Sequence, residues 1–173
     1  MNPPLDALVI GAGPAGCAAA LSLARRGHSV LLADRHEFPR DKVCGDALIP
    51  DALAALGRLG IDAQVLAGAR RLARLRIHAP DRSHVDIDGL LACLPRRVLD
   101  ARLREAAIAA GARFEAPLEF VGVLRQADTV RGATFRRVRG GEPVEIPARL
   151  TLLATGAAAA ALEAAGLCRR KAP

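Results

Sequence analysis

The sequence predicts an α/β fold built on a parallel sheet, and three observations support this class. Residues 5–10 form a short apolar run that ends at a glycine, as a buried parallel strand does. Residues 14–26 form an alanine-rich helix pattern, with proline in its first turn and Gly27 after its end. Residues 29–33 are a second apolar run. A strand, a helix and a strand within about 30 residues make a βαβ unit, which implies parallel strands.

The turn between the first strand and the helix carries the pattern G-A-G-P-A-G over residues 11–16. Gly11 permits the tight turn, Gly13 lets the backbone approach a pyrophosphate, and Gly16 lets the helix pack closely on the sheet. The helix N-terminus offers N–H groups and the positive end of its dipole to phosphates. The candidate nucleotide-binding residues of this turn are Gly11, Gly13, Pro14, Ala15 and Gly16.

An acidic residue, Asp34, ends the second strand. A carboxylate at this position accepts hydrogen bonds from a ribose diol, and it argues against a 2′-phosphate. Arg35 follows at once, so this pair alone leaves NADP open. The pattern predicts a Rossmann-like dinucleotide-binding fold, and the alternative is a glycine-rich turn of another α/β protein.

The rest of the chain predicts a parallel sheet with helices on both faces and a small antiparallel β element inserted after the first βαβ unit. Two further strands of the main sheet are expected at 113–115 and 150–154. Helix patterns cover 49–59 and 97–110, and a short helix follows the turn at 155–156. The remaining strand candidates are 72–78, 84–87, 119–124, 129–138 and 143–146, the last two flanking a Gly-Gly turn at 140–141.

The charge balance is basic, with a net charge of +7 over 173 residues, but the arginines are scattered. Aromatic residues make up 2% of the chain and include no Trp or Tyr, so an aromatic platform for nucleic acid is not expected. No nucleic-acid-binding motif accompanies the charge. We therefore expect no nucleic-acid partner.

The four cysteines match no zinc-binding spacing, and we expect no metal site and reduced thiols in a cytoplasmic protein. They are Cys17, Cys44, Cys93 and Cys168. No apolar run reaches the roughly 18 residues that a membrane-spanning helix needs, and no signal peptide is visible.

A more specific segment, Phe-Pro-Arg-Asp-Lys-Val-Cys-Gly-Asp, spans residues 38–46. It resembles a segment of the geranylgeranyl reductase family, a branch of the para-hydroxybenzoate hydroxylase-like flavoproteins. In that family a P-R-x-K-x-C-G segment runs close to FAD. Arg40, Lys42, Cys44 and Gly45 match it, which implies that these four residues lie near the cofactor.

Two later segments resemble the same superfamily. Residues 96–103 match its R-x-x-x-D-x-x-L pattern, which implies that Arg96 reaches the cofactor from a helix start; a one-residue slip to Arg97 stays open. Residues 152–157 resemble the strand that returns to the nucleotide-binding sheet, which implies that Thr155 and Gly156 lie beside the ADP. The resemblance also implies that Val121 pairs with the adenine through its backbone.

The resemblance implies an FAD-dependent oxidoreductase that reduces an isoprenoid or similar apolar alkene with electrons from a nicotinamide donor, NAD(P)H. No side chain is a convincing general acid or base, so we assign no catalytic residue. The alternatives are an FAD-dependent monooxygenase or halogenase, and a non-catalytic nucleotide-binding module or remnant. Oxygen consumption coupled to nicotinamide oxidation would favour the first of these alternatives.

The same resemblance implies one partial FAD-binding domain over residues 1–173, with β insertions at roughly 70–95 and 117–148. The family carries a later G-D segment that contacts the ribityl and pyrophosphate, followed by a substrate region. Neither segment is in this sequence, so we expect the C-terminal part of the enzyme to be missing. Membrane contact and oligomeric state stay open.

Overall fold

A computed structural model gives the structure of residues 4–44, 46–138 and 140–168. The strands are β1 (Leu5–Ile10), β2 (Val30–Ala33), β3 (Ala47–Leu48), β4 (Arg70–His78), β5 (His84–Cys93), β6 (Arg113–Glu115), β7 (Leu118–Gln126), β8 (Thr129–Arg137) and β9 (Val144–Leu153). The helices are α1 (Pro14–Ala24), α2 (Pro50–Arg58), α3 (Asp62–Val65), α4 (Arg96–Ala109) and α5 (Ala159–Ala164). The chain divides into two compact units, one of Met1–Phe38 with Leu103–Pro173 and one of Pro39–Arg102.

The first unit is built on a sheet with the strand order β6-β2-β1-β9-β8-β7. The strands β6, β2, β1 and β9 run parallel, and each of the four is hydrogen-bonded to its neighbour. The last three strands, β7, β8 and β9, form an antiparallel meander. The predicted α/β class is confirmed, and β6 is the expected third strand of the parallel sheet.

Strand β9 corrects the prediction of two separate strands at 143–146 and 150–154. Its first half pairs antiparallel with β8, and its second half pairs parallel with β1 from Leu5↔Ala148 to Ile10↔Leu153. Pro147 lies between the two predicted strands, and proline cannot donate to a sheet ladder. Gly132 lies opposite Pro147, and a Cβ at Gly132 would stand 2.1 Å from the Ile146 carbonyl oxygen. The missing side chain therefore lets β8 approach β9 at the proline.

The core of the first unit joins the parallel strands to the meander. Leu8 and Phe135 are fully buried in one cluster, together with Leu31 from β2 and Leu118 from β7. Phe120 packs against this cluster, with its ring edge-on to Phe135 at 6.2 Å between centroids. Burial of each such side chain stabilises a fold by about 1.5–3 kcal/mol. Residues far apart in the chain thus depend on one core.

The second unit contains a three-stranded antiparallel sheet with the order β3-β5-β4. This sheet confirms the small antiparallel element expected after the first βαβ unit. β5 extends to Cys93, six residues beyond the predicted end at residue 87, because it pairs with both β4 and β3. Helix α2 contacts β5, and α3 was not predicted at all.

Among the residues that the structure describes, no helix has the length and hydrophobicity of a membrane span.

Candidate functional site

The carboxyl ends of β1, β2 and β9 meet at one edge of the parallel sheet. The Gly11 N–H donates to the Ala33 carbonyl at 2.7 Å, and the Ala154 N–H donates to the Ile10 carbonyl at 2.8 Å. The chain leaves β1 between β2 on one side and β9 on the other. Ligands of open α/β sheets bind outside such carboxyl ends, where the strand order changes direction. This edge is therefore the candidate site of the first unit.

Two glycines of the turn after β1 are required by packing. Gly11 has a φ of +104°, and a Cβ there would lie 2.5 Å from the Ala154 carbonyl oxygen. A Cβ on Gly16 would lie 1.8 Å from the Gly11 carbonyl oxygen. Both distances are far below contact, so these two positions hold the turn, the helix and β9 together. Their glycines are explained without a ligand.

Gly13 directly precedes helix α1. It is the N-cap of α1, with a φ of −77° and a ψ of −176°, an extended conformation open to any residue. A glycine here leaves the space in front of the helix free of a side chain. That is the requirement for close approach of a pyrophosphate, as the sequence predicts.

The N-terminus of α1 has the features of an anion-binding site. Its first turn has no acidic residue and no side-chain cap, and Pro14 occupies its first position. The first bond inside the helix runs from the Cys17 N–H to the Gly13 carbonyl at 2.9 Å. The N–H groups of Ala15 and Gly16 precede this bond, where a helix has no internal acceptor for them. They and the helix dipole favour negative charge at this end.

Asp34 is buried, with 7% of its surface exposed, at the end of β2. Its Oδ2 accepts a hydrogen bond from the Ala12 N–H at 2.7 Å, and its Oδ1 accepts one from the His36 N–H at 2.8 Å. A carboxylate has about four acceptor positions, so capacity is left for a ribose diol. The sequence predicted the ribose role of Asp34 but not these two protein contacts.

The other residues expected near the nucleotide are placed as follows. Arg35 is exposed beside Asp34, and Thr155 and Gly156 follow β9, with a φ of +65° at Gly156. Val121 is 47% exposed at an irregularity of β7, a strand separated from β1 by β9 and β8. The strand pairing brings Thr155 and Gly156 to the same edge as Asp34. It gives Val121 no such link, and the adenine contact stays a prediction.

The loop that carries Asp34 is anchored at its far end by an aromatic cluster that sequence reasoning missed. The Phe38 ring stands edge-on to the Phe114 ring of β6, with centroids 5.6 Å apart. The guanidinium carbon of Arg104 lies 5.4 Å from each of the two ring centroids. Phe38 and Phe114 lie 76 positions apart in the chain, so no short-range pattern indicates this cluster.

The second unit holds the other predicted residues around a buried carboxylate, Asp100. Both guanidinium donors of Arg96 bond it in a bidentate pair, with Nε to Oδ1 at 2.7 Å and Nη2 to Oδ2 at 2.8 Å. Arg40 Nη2 lies 3.3 Å from the same Oδ2. Asp100 is fully buried, whereas the side chains of Arg40 and Arg96 are 13% and 16% exposed. The segment after β2 and the start of α4 therefore meet at one acid.

Cys44 is exposed and belongs to the same group of side chains. The backbone N–H of Asp46 and the guanidinium of Arg96 lower the pKa of the Cys44 thiol. The bond to Asp100 raises the pKa of Arg96 above its usual range, so this arginine stays charged. Lys42 is exposed nearby in sequence, and the predicted contact at Gly45 lies outside the described residues.

Asp46 was not predicted as a functional or structural residue. It has a φ of 55°, unusual for a residue other than glycine, and its Oδ1 accepts a hydrogen bond from the Arg96 N–H at 3.0 Å. Its carbonyl accepts another from the Leu94 N–H at 3.0 Å. Asp46 thus caps the start of α4 from a distant part of the chain. No short-range spacing reveals such a cap.

The features at the edge of the parallel sheet fit the ADP half of a dinucleotide. An uncapped helix start, a glycine at the N-cap of that helix and a buried carboxylate with spare acceptor positions match a pyrophosphate and a ribose. A sequence model described as the FAD binding domain matches residues 4–172. The chain belongs to the FAD binding domain family.

Relatives within this family include named reductases. The menaquinone reductase of Mycobacterium tuberculosis (strain ATCC 25618 / H37Rv) is 37% identical over 159 residues, which cover 88% of this chain and 38% of that protein. The digeranylgeranylglycerophospholipid reductase of Methanothrix thermoacetophila is 31% identical over 158 residues, which cover 87% of this chain and 39% of that protein. The resemblance to geranylgeranyl reductases is confirmed. The chain spans about two fifths of the length of these two relatives.

A solved structure shares the fold of the chain. A geranylgeranyl bacteriochlorophyll reductase-like protein from Thermoplasma acidophilum superposes with a TM-score of 0.77 and 25% identity, covering 88% of this chain and 39% of that one. The FAD binding domain family therefore accounts for the parallel sheet, the glycine turn and Asp34 together.

Proposed function

We propose that this chain is the FAD-binding part of an oxidoreductase that reduces a carbon–carbon double bond in an isoprenoid or similar apolar substrate, with NAD(P)H as the electron donor. The proposal includes a small apolar substrate, no nucleic-acid partner and a cytoplasmic location. None of the cysteines in the described residues forms a disulfide, which is consistent with that location, since the cytoplasm keeps thiols reduced.

The observation that supports the proposal most strongly is that Gly13 and Asp34 lie at the same edge of the sheet. Asp34 bonds the Ala12 N–H, so the acid for the ribose and the turn for the pyrophosphate are fixed to each other. The reductase part of the proposal is supported by the segment at 39–45 and by relatives whose names specify menaquinone and geranylgeranyl lipids.

FAD, when bound, supplies the hydride-transfer chemistry. The residues of this chain bind and orient it. Ala15 and Gly16 direct N–H groups toward the pyrophosphate, Asp34 accepts hydrogen bonds from a ribose, and Gly13 leaves room for both. We assign no catalytic side chain.

FAD titration of the purified chain tests the cofactor, with flavin fluorescence as the signal and NAD and NADP as competitors. We expect saturable FAD binding that Gly13→Val weakens at least about tenfold, because a side chain then fills the approach to the helix. Gly57→Ala is the matched control, since a Cβ at Gly57 in α2 meets nothing within 4 Å. Nicotinamide binding in preference to FAD would overturn the flavin assignment.

The reaction class is tested after the cofactor. Photoreduced, FAD-loaded protein is mixed without oxygen with a soluble isoprenoid alcohol, and flavin reoxidation is followed together with loss of the double bond by mass spectrometry. A longer polypeptide that includes the substrate region serves as the second sample. Oxygen uptake coupled to NAD(P)H oxidation, with an oxygen atom or a halogen added to the substrate, would favour the monooxygenase or halogenase alternative.

A further inference from the structure

Strand β9 has a neighbouring strand on both sides over only part of its length. Its first half pairs with β8 as far as Pro147, which lies opposite Gly132. Thr129 and Val130, at the start of β8, pair with β7 instead. The second half of β9 pairs with β1, and among the described residues no strand pairs with 148–153 on the other side.

One hydrogen bond shows which backbone groups of β9 point away from β1. The Ala154 N–H donates to the Ile10 carbonyl at 2.8 Å. The backbone groups of successive residues in a strand alternate between the two neighbouring strands. The even-numbered residues of this half therefore point to β1, and the N–H and carbonyl groups of Arg149, Thr151 and Leu153 point to the other side. These three residues form an open sheet edge, on which a further strand is able to pair.

A mostly apolar groove of about 270 Å³ lies along this edge, between β9 and the meander. Its lining residues include Phe120, Val123, Leu150, Leu153 and Leu167. Thr151 also lines the groove, and its hydroxyl oxygen is buried without a hydrogen-bond partner in the described part of the chain. A cavity of about 150 Å³ already holds a benzene ring, so the groove has room for apolar side chains of an added segment.

The course of the chain after β9 indicates where a following strand would lie. Helix α5 contacts β7, and a Cβ at Gly122 of β7 would stand 3.6 Å from the Ala164 carbonyl oxygen. The chain therefore leaves β9 toward the meander and not toward β1. A helix after a parallel strand leads, by a right-handed crossover, to the next parallel strand of the sheet. Because β1 occupies one side of β9, a strand that joins β9 has to lie at the open edge.

We propose that the open edge of β9, at residues 149–153, binds one further β-strand that runs parallel to β9 and is supplied by the same polypeptide after α5. The chain spans about two fifths of the length of its reductase relatives, so a longer polypeptide of this kind has ample length for such a strand. We expect the added strand to be an apolar run, as buried parallel strands are. Its backbone pairs with Arg149, Thr151 and Leu153, and its side chains fill the groove.

Amide hydrogen exchange, resolved residue by residue with NMR, tests the added strand. The samples are the protein of residues 1–173 and a longer polypeptide that continues beyond them. In the first sample we expect the Thr151 and Leu153 amides to exchange at least about tenfold faster than those of Leu150 and Leu152, because only the latter two donate to β1. In the longer polypeptide all four amides should exchange slowly. No flavin takes part, so failure of this proposal and failure of the proposed reaction are distinguishable.

A substitution at Leu150 gives a second, independent test. Leu150 is 47% exposed, and an added strand would bury it. Leu150→Asp should therefore lower the melting temperature of the longer polypeptide more than that of the 1–173 protein, since an unpaired buried carboxylate is costly. Val138→Asp is the matched control, because Val138 is 55% exposed, follows the end of β8 and does not line the groove. It should change the two melting temperatures equally.

Fast exchange of the Thr151 and Leu153 amides in the folded longer polypeptide would overturn the proposal, because no strand then pairs with the edge. Slow exchange of these amides in the 1–173 protein would also overturn it: a second copy covers the edge if the protection rises with protein concentration, and the chain itself covers it if not. An equal effect of Leu150→Asp on both proteins is a further contradiction. Circular dichroism reports folding, and if the 1–173 protein is unfolded, exchange in the longer polypeptide decides.

Discussion

The Asp34 carboxylate accepts a hydrogen bond from the Ala12 backbone N–H at 2.7 Å, across the ends of two neighbouring strands. Both groups are buried, and the bond joins the acid after β2 to the glycine turn after β1. The residue that we propose binds the ribose thus also fixes the turn that we propose faces the pyrophosphate. We therefore expect stability and cofactor affinity to be coupled at Asp34.

Asp34→Ala is expected to lower both quantities. It leaves the buried Ala12 N–H without its acceptor, which costs about 1–3 kcal/mol in the free energy of unfolding. FAD affinity falls at least about tenfold, because a ribose acceptor is lost as well. Urea unfolding and flavin titration measure the two effects. Asp34→Asn keeps one acceptor oxygen and should lie between wild type and alanine; equal stability of all three proteins would contradict the structural role.

Gly16→Ala is expected to destabilise the first unit. The new Cβ would stand 1.8 Å from the Gly11 carbonyl oxygen, so the helix or the turn has to move. Overpacking of this kind costs about 1–3 kcal/mol, and a clash with backbone puts the variant at the upper end. Thermal unfolding of Gly16→Ala beside Gly57→Ala measures it. A melting temperature of Gly16→Ala equal to that of the control would show that the turn relaxes freely.

Arg104→Met is expected to loosen the loop after Asp34. The substitution keeps an apolar stem of similar length and removes the charge that lies over Phe38 and Phe114. The expected loss of stability is about 0.5–2 kcal/mol, the range for a cation over aromatic rings. Arg104→Lys should retain part of it. Urea unfolding orders the three proteins, and a lysine variant less stable than the methionine variant would argue against a cation–π contribution.

Asp6 is expected to make part of the stability of the protein depend on pH in the acidic range. The Ser29 N–H and hydroxyl donate to Asp6 Oδ2 at 2.9 and 2.8 Å and lower the pKa of this carboxyl. A lowered folded-state pKa stabilises the fold above the unfolded value of about 3.9, and the effect is lost as pH falls through the folded value. The melting temperature of Asp6→Asn should therefore fall less than that of the wild type as the pH drops below about 4. If the melting temperature of Asp6→Asn falls with pH as steeply as that of the wild type, Asp6 makes no such contribution.

Sequence reasoning succeeded where the signal is local. The turn at Gly11, the helix after it and the acid at Asp34 follow one another within a single βαβ unit, and each has its own short-range requirement. The element boundaries of that unit agree with the structure within a few residues. The family resemblance rested on another short segment, residues 39–45.

Prediction failed where distant residues determine the outcome. Two separate strands were predicted at 143–146 and 150–154, and only the pairing of Pro147 with Gly132 shows how the strand continues between them. The ion pair of the buried Asp100 with Arg40 was not predicted, because Arg40 lies 60 positions earlier in the chain. The cap that Asp46 provides for Arg96 likewise joins residues that lie far apart in the chain.

Strand β9 also has a consequence for how the protein is made. Residues 148–153 pair with residues 5–10, so β1 receives its second neighbour only after the more than 130 residues between them have been translated. Pairing over such a separation is slow, because a long loop has to close before the contact forms. During synthesis the open side of β1 is an apolar strand edge, which is the part of the nascent chain most in need of a chaperone.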